Sequence, residues 1–149
     1  MKICLVCSHG GHLTELLQLL PALSGHRLVI ATYHSARDDQ VRALAPAYFT
    51  ANAGRSPWRL LRTALWAHRI LRAERPDAIV SLGAEIALPF FYLGRLLRIR
   101  TLYIESWCRV ASLSLTGRLV YPVADAFWVQ WPQLLPICGR RAAYRGAIL

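Results

Sequence analysis

Lys2-Ile3-Cys4-Leu5-Val6-Cys7-Ser8-His9-Gly10-Gly11-His12, continuing into Leu13-Thr14-Glu15-Leu16-Leu17, is the stretch whose reading decides the fold. A short apolar run stops at a Gly-Gly turn. Leucines then recur at helical spacing from Leu13 towards Leu23, where Pro21 and Gly25 close the segment. That is strand, loop, helix. Working outward, the strand signal returns at Arg27 to Tyr33 and again, briefly, at Tyr48 to Ala51. A long helix from Pro57 to Arg75 ends at Pro76. Asp77 to Leu82 is a strand, followed by a Gly83 turn, a helix from Glu85 to Leu97 and a strand at Thr101 to Glu105. A loop with a short helix reaches Tyr121, and Ala126 to Gln130 is the last clear strand. The closing residues Gly146 to Leu149 read as the start of one more. This alternation predicts an α/β chain, a single Rossmann-like three-layer domain over residues 1–149 with a mostly parallel sheet.

Composition limits the partners. The 149 residues are 55% hydrophobic and only 17% charged, so apolar surface is expected to meet lipid or another protein. The net charge is +10, and Lys2 is the only lysine. Arginine presents a planar fork that holds two phosphate oxygens at once, so this balance suits nucleic acid, an anionic membrane surface or phosphorylated substrates. No signal peptide is legible, which places the opening residues in the cytoplasm. The longest apolar stretch, Ala78 to Leu97, is interrupted by Glu85, Pro89 and Arg95 and reads as a buried strand and helix. Cys4 and Cys7 have CxxC spacing inside a strand, where residues three apart face opposite ways. Buried, reduced thiols are expected, and no metal site.

In an open parallel sheet, ligands lie beyond the carboxyl ends of the strands. The residues there are Ser8 to His12, Gly83-Ala84-Glu85, Glu105-Ser106-Trp107-Cys108-Arg109 and Gln130-Trp131-Pro132. Gly10 and Gly11 let the backbone approach a ligand, and the following helix offers free N–H groups to a phosphate. The loop is neither a GxGxxG fingerprint nor a Walker loop, so neither a nicotinamide cofactor nor ATP is expected. His12 is placed to take a proton from a hydroxyl or to donate to an oxyanion. Glu105 is placed to orient a hydroxyl and Arg109 to hold a phosphate, the alternative being an ion pair between them. Glu85 stands at the mouth of a strand, where a helix-start carboxylate is the other reading.

On the Pro57 to Arg75 helix, a wheel puts Leu60, Leu61, Ala64, Ala67 and Leu71 on one side. Arg55, Arg59, Arg62, Arg69 and Arg72 fall on the other with Trp58 and Trp66. Arginine mixed with tryptophan on an outward face suits a membrane interface, with Trp58, Arg59, Arg62, Trp66 and Arg69 as the contact residues. A solvated basic face is the plain alternative. No familiar nucleic-acid module is legible, and no nucleic-acid partner is expected.

The opening loop, Ser81-Leu82-Gly83-Ala84-Glu85-Ile86-Ala87, Tyr103-Ile104-Glu105-Ser106-Trp107, Ser112 to Gly117, Tyr121 to Asp125 and Gln130-Trp131-Pro132 together resemble bacterial PssD-type exopolysaccharide glycosyltransferase subunits. These are similar in turn to the membrane-anchor subunit of the split N-acetylglucosaminyltransferase of asparagine-linked glycosylation. The resemblance covers nearly the whole chain. It implies the acceptor-side N-terminal half of an inverting GT-B enzyme, inactive without a PssE-like donor-binding subunit that holds the UDP-sugar. It also implies a polyprenyl-diphosphate-linked sugar acceptor and peripheral or monotopic attachment to the cytoplasmic face of the inner membrane. No cofactor is implied. By this resemblance His12 is the first choice of base and Glu105 the second catalytic residue. Ser8, Gly10, Gly11, Glu85, Ser106 and Arg109 then serve the acceptor, while His9 stands where the family is expected to carry serine. A tether that contributes no catalytic group is the alternative role.

Overall fold

The computed structural model describes residues 1–52, 54 and 56–148. Seven strands form one sheet: β1 (Lys2–Val6), β2 (Arg27–Tyr33), β3 (Ala47–Thr50), β4 (Ala78–Ser81), β5 (Arg100–Ile104), β6 (Ala126–Val129) and β7 (Ala142–Tyr144). The order is β3-β2-β1-β4-β5-β6-β7 and every pairing is parallel. Parallel strands need crossovers, and helices supply most of them: α1 (Gly11–Gln18), α2 (Asp38–Leu44), α3 (Pro57–Glu74), α4 (Ala87–Leu96), α5 (Leu115–Val120) and α6 (Leu135–Cys138).

Alternating side chains divide the core into two. Leu13 and Leu16 of α1 and Val41 of α2 pack on Ile3, Leu5, Ile30 and Val80. On the opposite face Ala67, Ile70 and Leu71 of α3 and Phe90 and Phe91 of α4 cover Cys4, Val6, Ile79 and Tyr103. Cys4 and Cys7 belong to different faces, as their spacing requires, and burial pushes both thiols up to about 12. Cys108, by contrast, is exposed.

The sheet order reverses direction between β1 and β4. That switch point opens a crevice at the carboxyl ends of these two strands, which places the loops after Val6 and Ser81 side by side.

Several sequence expectations shift. The helix predicted from Glu85 begins at Ala87, because Glu85 and Ile86 lie in a tighter turn where the Ala87 N–H bonds to the Ala84 carbonyl at 3.0 Å and the Leu88 N–H to the Glu85 carbonyl at 3.1 Å. The leucine-rich segment after β1 is α1 plus a separate 3₁₀ turn at Pro21–Leu23. No strand forms at 146–148. The final strand is β7, further back at Ala142–Tyr144, and Leu149 lies outside the described residues. The short helix α2 was not legible, since Asp38-Asp39-Gln40 masks its single buried apolar residue, Val41.

Candidate functional site

The turn after β1 needs glycine. Gly10 caps α1 with φ 81 and ψ −137, a region that side chains avoid, and open space surrounds the Cβ positions of both Gly10 and Gly11. The first turn of α1 carries no acidic residue and no side chain caps it, so its N–H groups face outward unoccupied.

His12 sits at this helix start against the β4 loop. A Cβ on Gly83 would come within 2.9 Å of the imidazole Cε1 and 3.3 Å of the Tyr103 hydroxyl. Gly83 therefore lets the ring lie flat against the turn. The buried Nδ1 of His12 has no hydrogen-bond partner, and the residue borders a cleft beyond the carboxyl ends of the strands. That cleft has a volume of about 390 Å³ and is bounded by Gly11, His12 and Ala84 on one side and Ser106, Arg109 and Thr116 on the other. Arg109 is exposed and ion-paired with no described residue, so its guanidinium is available to an anion. Among the described residues no group of His, Cys, Asp or Glu side chains is placed to hold a metal ion.

Two buried carboxylates adjoin the cleft, Glu15 in its wall and Glu105 behind it. Glu105 is 0% exposed. It accepts from the Ser106 N–H at 3.0 Å, the Ser114 N–H at 3.0 Å and the Ser114 hydroxyl at 3.1 Å. Ser114 in turn caps α5 by accepting from the Gly117 N–H at 2.9 Å. A methyl group on Gly117 would overlap Glu105 Oε2, so only glycine fits there. Burial holds the Glu105 carboxyl above the usual carboxylate range, against the opposing pull of the Ser114 and Ser106 hydrogen bonds and of Arg109. The alternative reading, a Glu105–Arg109 ion pair, is not formed. The side chain that sequence spacing offered as catalytic is occupied in holding the 106–117 segment in place.

Glu15, one turn beyond His12 on α1, is the second carboxylate, and sequence reasoning passed over it. It accepts from the Ser106 hydroxyl at 2.9 Å, the Trp107 N–H at 3.1 Å and the Gln130 amide at 3.2 Å. Gln130 also donates to the Glu105 carbonyl at 3.1 Å, and the Trp131 indole donates to the Trp107 carbonyl at 2.7 Å. The first loop, the loop after β5 and the end of β6 are thus tied through one buried acid. Its only signal in the sequence was a charge set among leucines, beside the apolar face of α1.

The remaining assigned residues divide. Gly11, His12, Ser106 and Arg109 border the cleft together, although the Ser106 hydroxyl is committed to Glu15. Gly10 shapes its rim. Ser8 bonds only to the adjacent His9 carbonyl, at 3.3 Å. Glu85 turns away to accept from the Tyr33 hydroxyl at 3.1 Å.

On α3 the wheel is partly corrected. Trp58 (76% exposed), Arg59, Arg62 and Arg69 do face outward. Trp66 instead packs edge-on against Phe90, 5.7 Å between ring centroids, because α4 crosses α3 there. Leu61 of α3, Tyr92 of α4 and Leu119 of α5 are exposed and line one apolar hollow, and Leu65, Leu96 and Leu115 are exposed as well. Arg55 lies outside the described residues. Among the described residues no helix is long and apolar enough to cross a membrane.

A seven-stranded parallel sheet with a glycine-rich loop at its switch point is one Rossmann-like half of the GT-B glycosyltransferase fold. Acinetobacter baumannii MurG superposes with a TM-score of 0.80 at 19% identity, over 99% of this chain and 45% of that one. The UDP-GlcNAc 2-epimerase of Methanocaldococcus jannaschii gives 0.79 at 14% identity, over 99% and 46%. These likenesses establish the fold. Residues 47–148 match the family described as oligosaccharide biosynthesis protein Alg14 like, and the chain belongs to that family. Among its relatives, UDP-N-acetylglucosamine transferase subunit ALG14 of Eremothecium gossypii is 37% identical over 66% of this chain and 49% of its own length. The human subunit of the same name is 28% identical over 90% and 77%. The chain therefore spans about half the length of the first of these relatives.

Proposed function

We propose that this chain is the acceptor-binding, membrane-associated subunit of a two-subunit UDP-sugar glycosyltransferase, with His12 as the base. The observation that carries the proposal is the cleft at the switch point. It has unoccupied helix N–H groups on one side, Arg109 on the other and an imidazole between them. The N–H groups and Arg109 hold the diphosphate of a polyprenyl-linked sugar. The acceptor hydroxyl then lies by His12, whose imidazole takes the proton as oxygen bonds to the anomeric carbon and the bond to UDP breaks. Attack from the side opposite the leaving group inverts that carbon. Glu105 and Glu15 act as positioning residues and touch no substrate.

In this reading the UDP-sugar is held by a separate donor-binding subunit, which is supported by the description of the relatives as transferase subunits. Two relatives are named as UDP-N-acetylglucosamine transferase subunits, which makes UDP-N-acetylglucosamine the first donor to test. The motifs shared with PssD-type subunits support a surface polysaccharide as the product. The apolar face of α3, α4 and α5, flanked by Arg59, Arg62 and Arg69, fits the cytoplasmic surface of an anionic membrane. The exposed Leu115 lines the cleft itself, which gives the lipid part of such a substrate an apolar contact beside the base.

The test is transfer of labelled UDP-sugars to a polyprenyl-diphosphate sugar in membranes, with this chain, its donor-binding partner, or both. Activity only with both supports the split enzyme and identifies the sugar. Full activity from the partner alone reduces this chain to a tether.

A further inference from the structure

At the opposite, amino end of the sheet a groove of about 970 Å³ runs between the ends of α3 and α4 and the start of β5. Arg72, Arg75, Arg98 and Arg100 line it, and a neighbouring hollow shares Arg98 and Arg100 and adds Arg95. The acids nearby are already engaged. Asp77 accepts from the Lys2 N–H at 2.7 Å, and Asp125 accepts from the Thr101 N–H at 2.8 Å and its hydroxyl at 3.1 Å. Arg95 lies 3.7 Å from Asp125, but Arg72, Arg75, Arg98 and Arg100 have no ion pair among the described residues.

The backbone makes the concentration harder to explain by packing alone. Arg98 has φ 57 in a turn where Ile99 N–H bonds to the Gly94 carbonyl at 2.9 Å and Arg98 N–H to the Arg95 carbonyl at 3.4 Å. This is the helix-ending arrangement in which glycine is the usual left-handed residue. Arg75 ends α3 in the same left-handed region, with φ 44 and ψ 57. A cation near a helix carboxyl end is favourable, and that accounts for one arginine at each helix. It does not account for four around one concavity, two of them in backbone conformations that side chains rarely adopt.

We infer that this groove is a binding site for an anion bearing two or more phosphates, separate from the transfer cleft. Guanidinium groups pair with phosphate oxygens two at a time, and several around a concavity favour a polyphosphate over a single carboxylate. The groove borders Leu97, next to the exposed Leu96, so the phosphates come either from a soluble polyphosphate or from anionic lipid headgroups beside the apolar face.

The test compares wild type, His12→Ala and the double variant Arg75→Gly/Arg98→Gly. Calorimetry with tripolyphosphate reads the soluble source, and flotation with phosphatidylcholine vesicles with or without cardiolipin, whose headgroup carries two phosphates, reads the lipid one. The double variant is expected to weaken one of these interactions at least about tenfold, while His12→Ala leaves that interaction unchanged. Glycine suits both backbone positions, so the double variant should melt no lower than wild type. Its sugar transfer with the partner present should also be unchanged, which separates this site from the proposed catalytic role. Binding equal to wild type with both probes overturns the inference. So does a lower melting temperature, which would assign the arginines to the fold.

Discussion

The two ends of the sheet differ in what fills their left-handed backbone positions. At the carboxyl end Gly10, Gly83 and Ala84 hold them; at the amino end Gly25 and Gly139 hold two, but Arg75 and Arg98 hold two more. Small residues at the first leave room for a ligand and for the His12 ring. Arginine at the second accepts local strain and places positive charge around a groove. The ends also differ in how charge is held. The carboxyl end buries Glu15 and Glu105 and satisfies both with hydrogen bonds, whereas the amino end leaves four arginines without ion pairs. Rigid, saturated packing therefore marks the end where geometry must be kept, and unpaired charge marks the end that can only gather a counter-charge.

Gly117→Ala should do most to break the contrast. Its methyl group would overlap the buried Glu105 carboxylate, so a loss of about 3 kcal/mol in stability and no measurable transfer are expected. Chemical denaturation would measure the first, and a stability close to wild type would mean that the 106–117 segment is looser than its hydrogen bonds imply. Next in size is His12→Ala. Transfer with the partner present should fall roughly 10²–10⁴-fold with the melting temperature unchanged, whereas a tether would lose nothing.

Glu15→Gln keeps the shape of the side chain but sets an amide N–H₂ opposite the Gln130 donor. A destabilisation of about 1–3 kcal/mol is expected, larger for Glu15→Ala, and thermal melts would show whether the order holds. The smallest effect concerns pH. Burial raises the folded-state affinity of Glu105 for its proton above that of the unfolded chain. The folded form then binds more protons, so this contribution to stability is complete below the ordinary carboxylate range and is lost as pH rises through the folded value. Compared with Glu105→Gln, wild type should be relatively more stable at about pH 5 than at about pH 7.5. A pH-independent difference between the two would show that the hydrogen bonds, and not burial, govern this carboxyl.

Much of this was legible before any coordinates. The β1 run and the Gly10-Gly11 turn identified the first strand–loop–helix unit, since apolar period and turn chemistry are local properties. The same reasoning put His12 and Arg109 beyond the carboxyl ends of the strands, and the structure brings both to the border of one cleft. It missed α2, whose short apolar face carries one buried residue, and put the last strand a few residues late, because β7 is defined by pairing with β6 and not by its own pattern. It also misread Trp66, since a wheel separates faces but does not say which neighbour covers them.

What the sequence by itself determined is the parallel α/β alternation, the glycine-rich first loop and the excess of arginine, each set by residue type and short-range spacing. Only the tertiary structure decided that Glu105 is a buried strut, that Glu15 joins three loops, and that the arginines of α3, α4 and β5 share one groove. Those facts depend on which distant segments the strand order brings together. Desolvation and hydrogen bonding, which decide what a carboxylate can do, act across that distance and leave no local pattern to read.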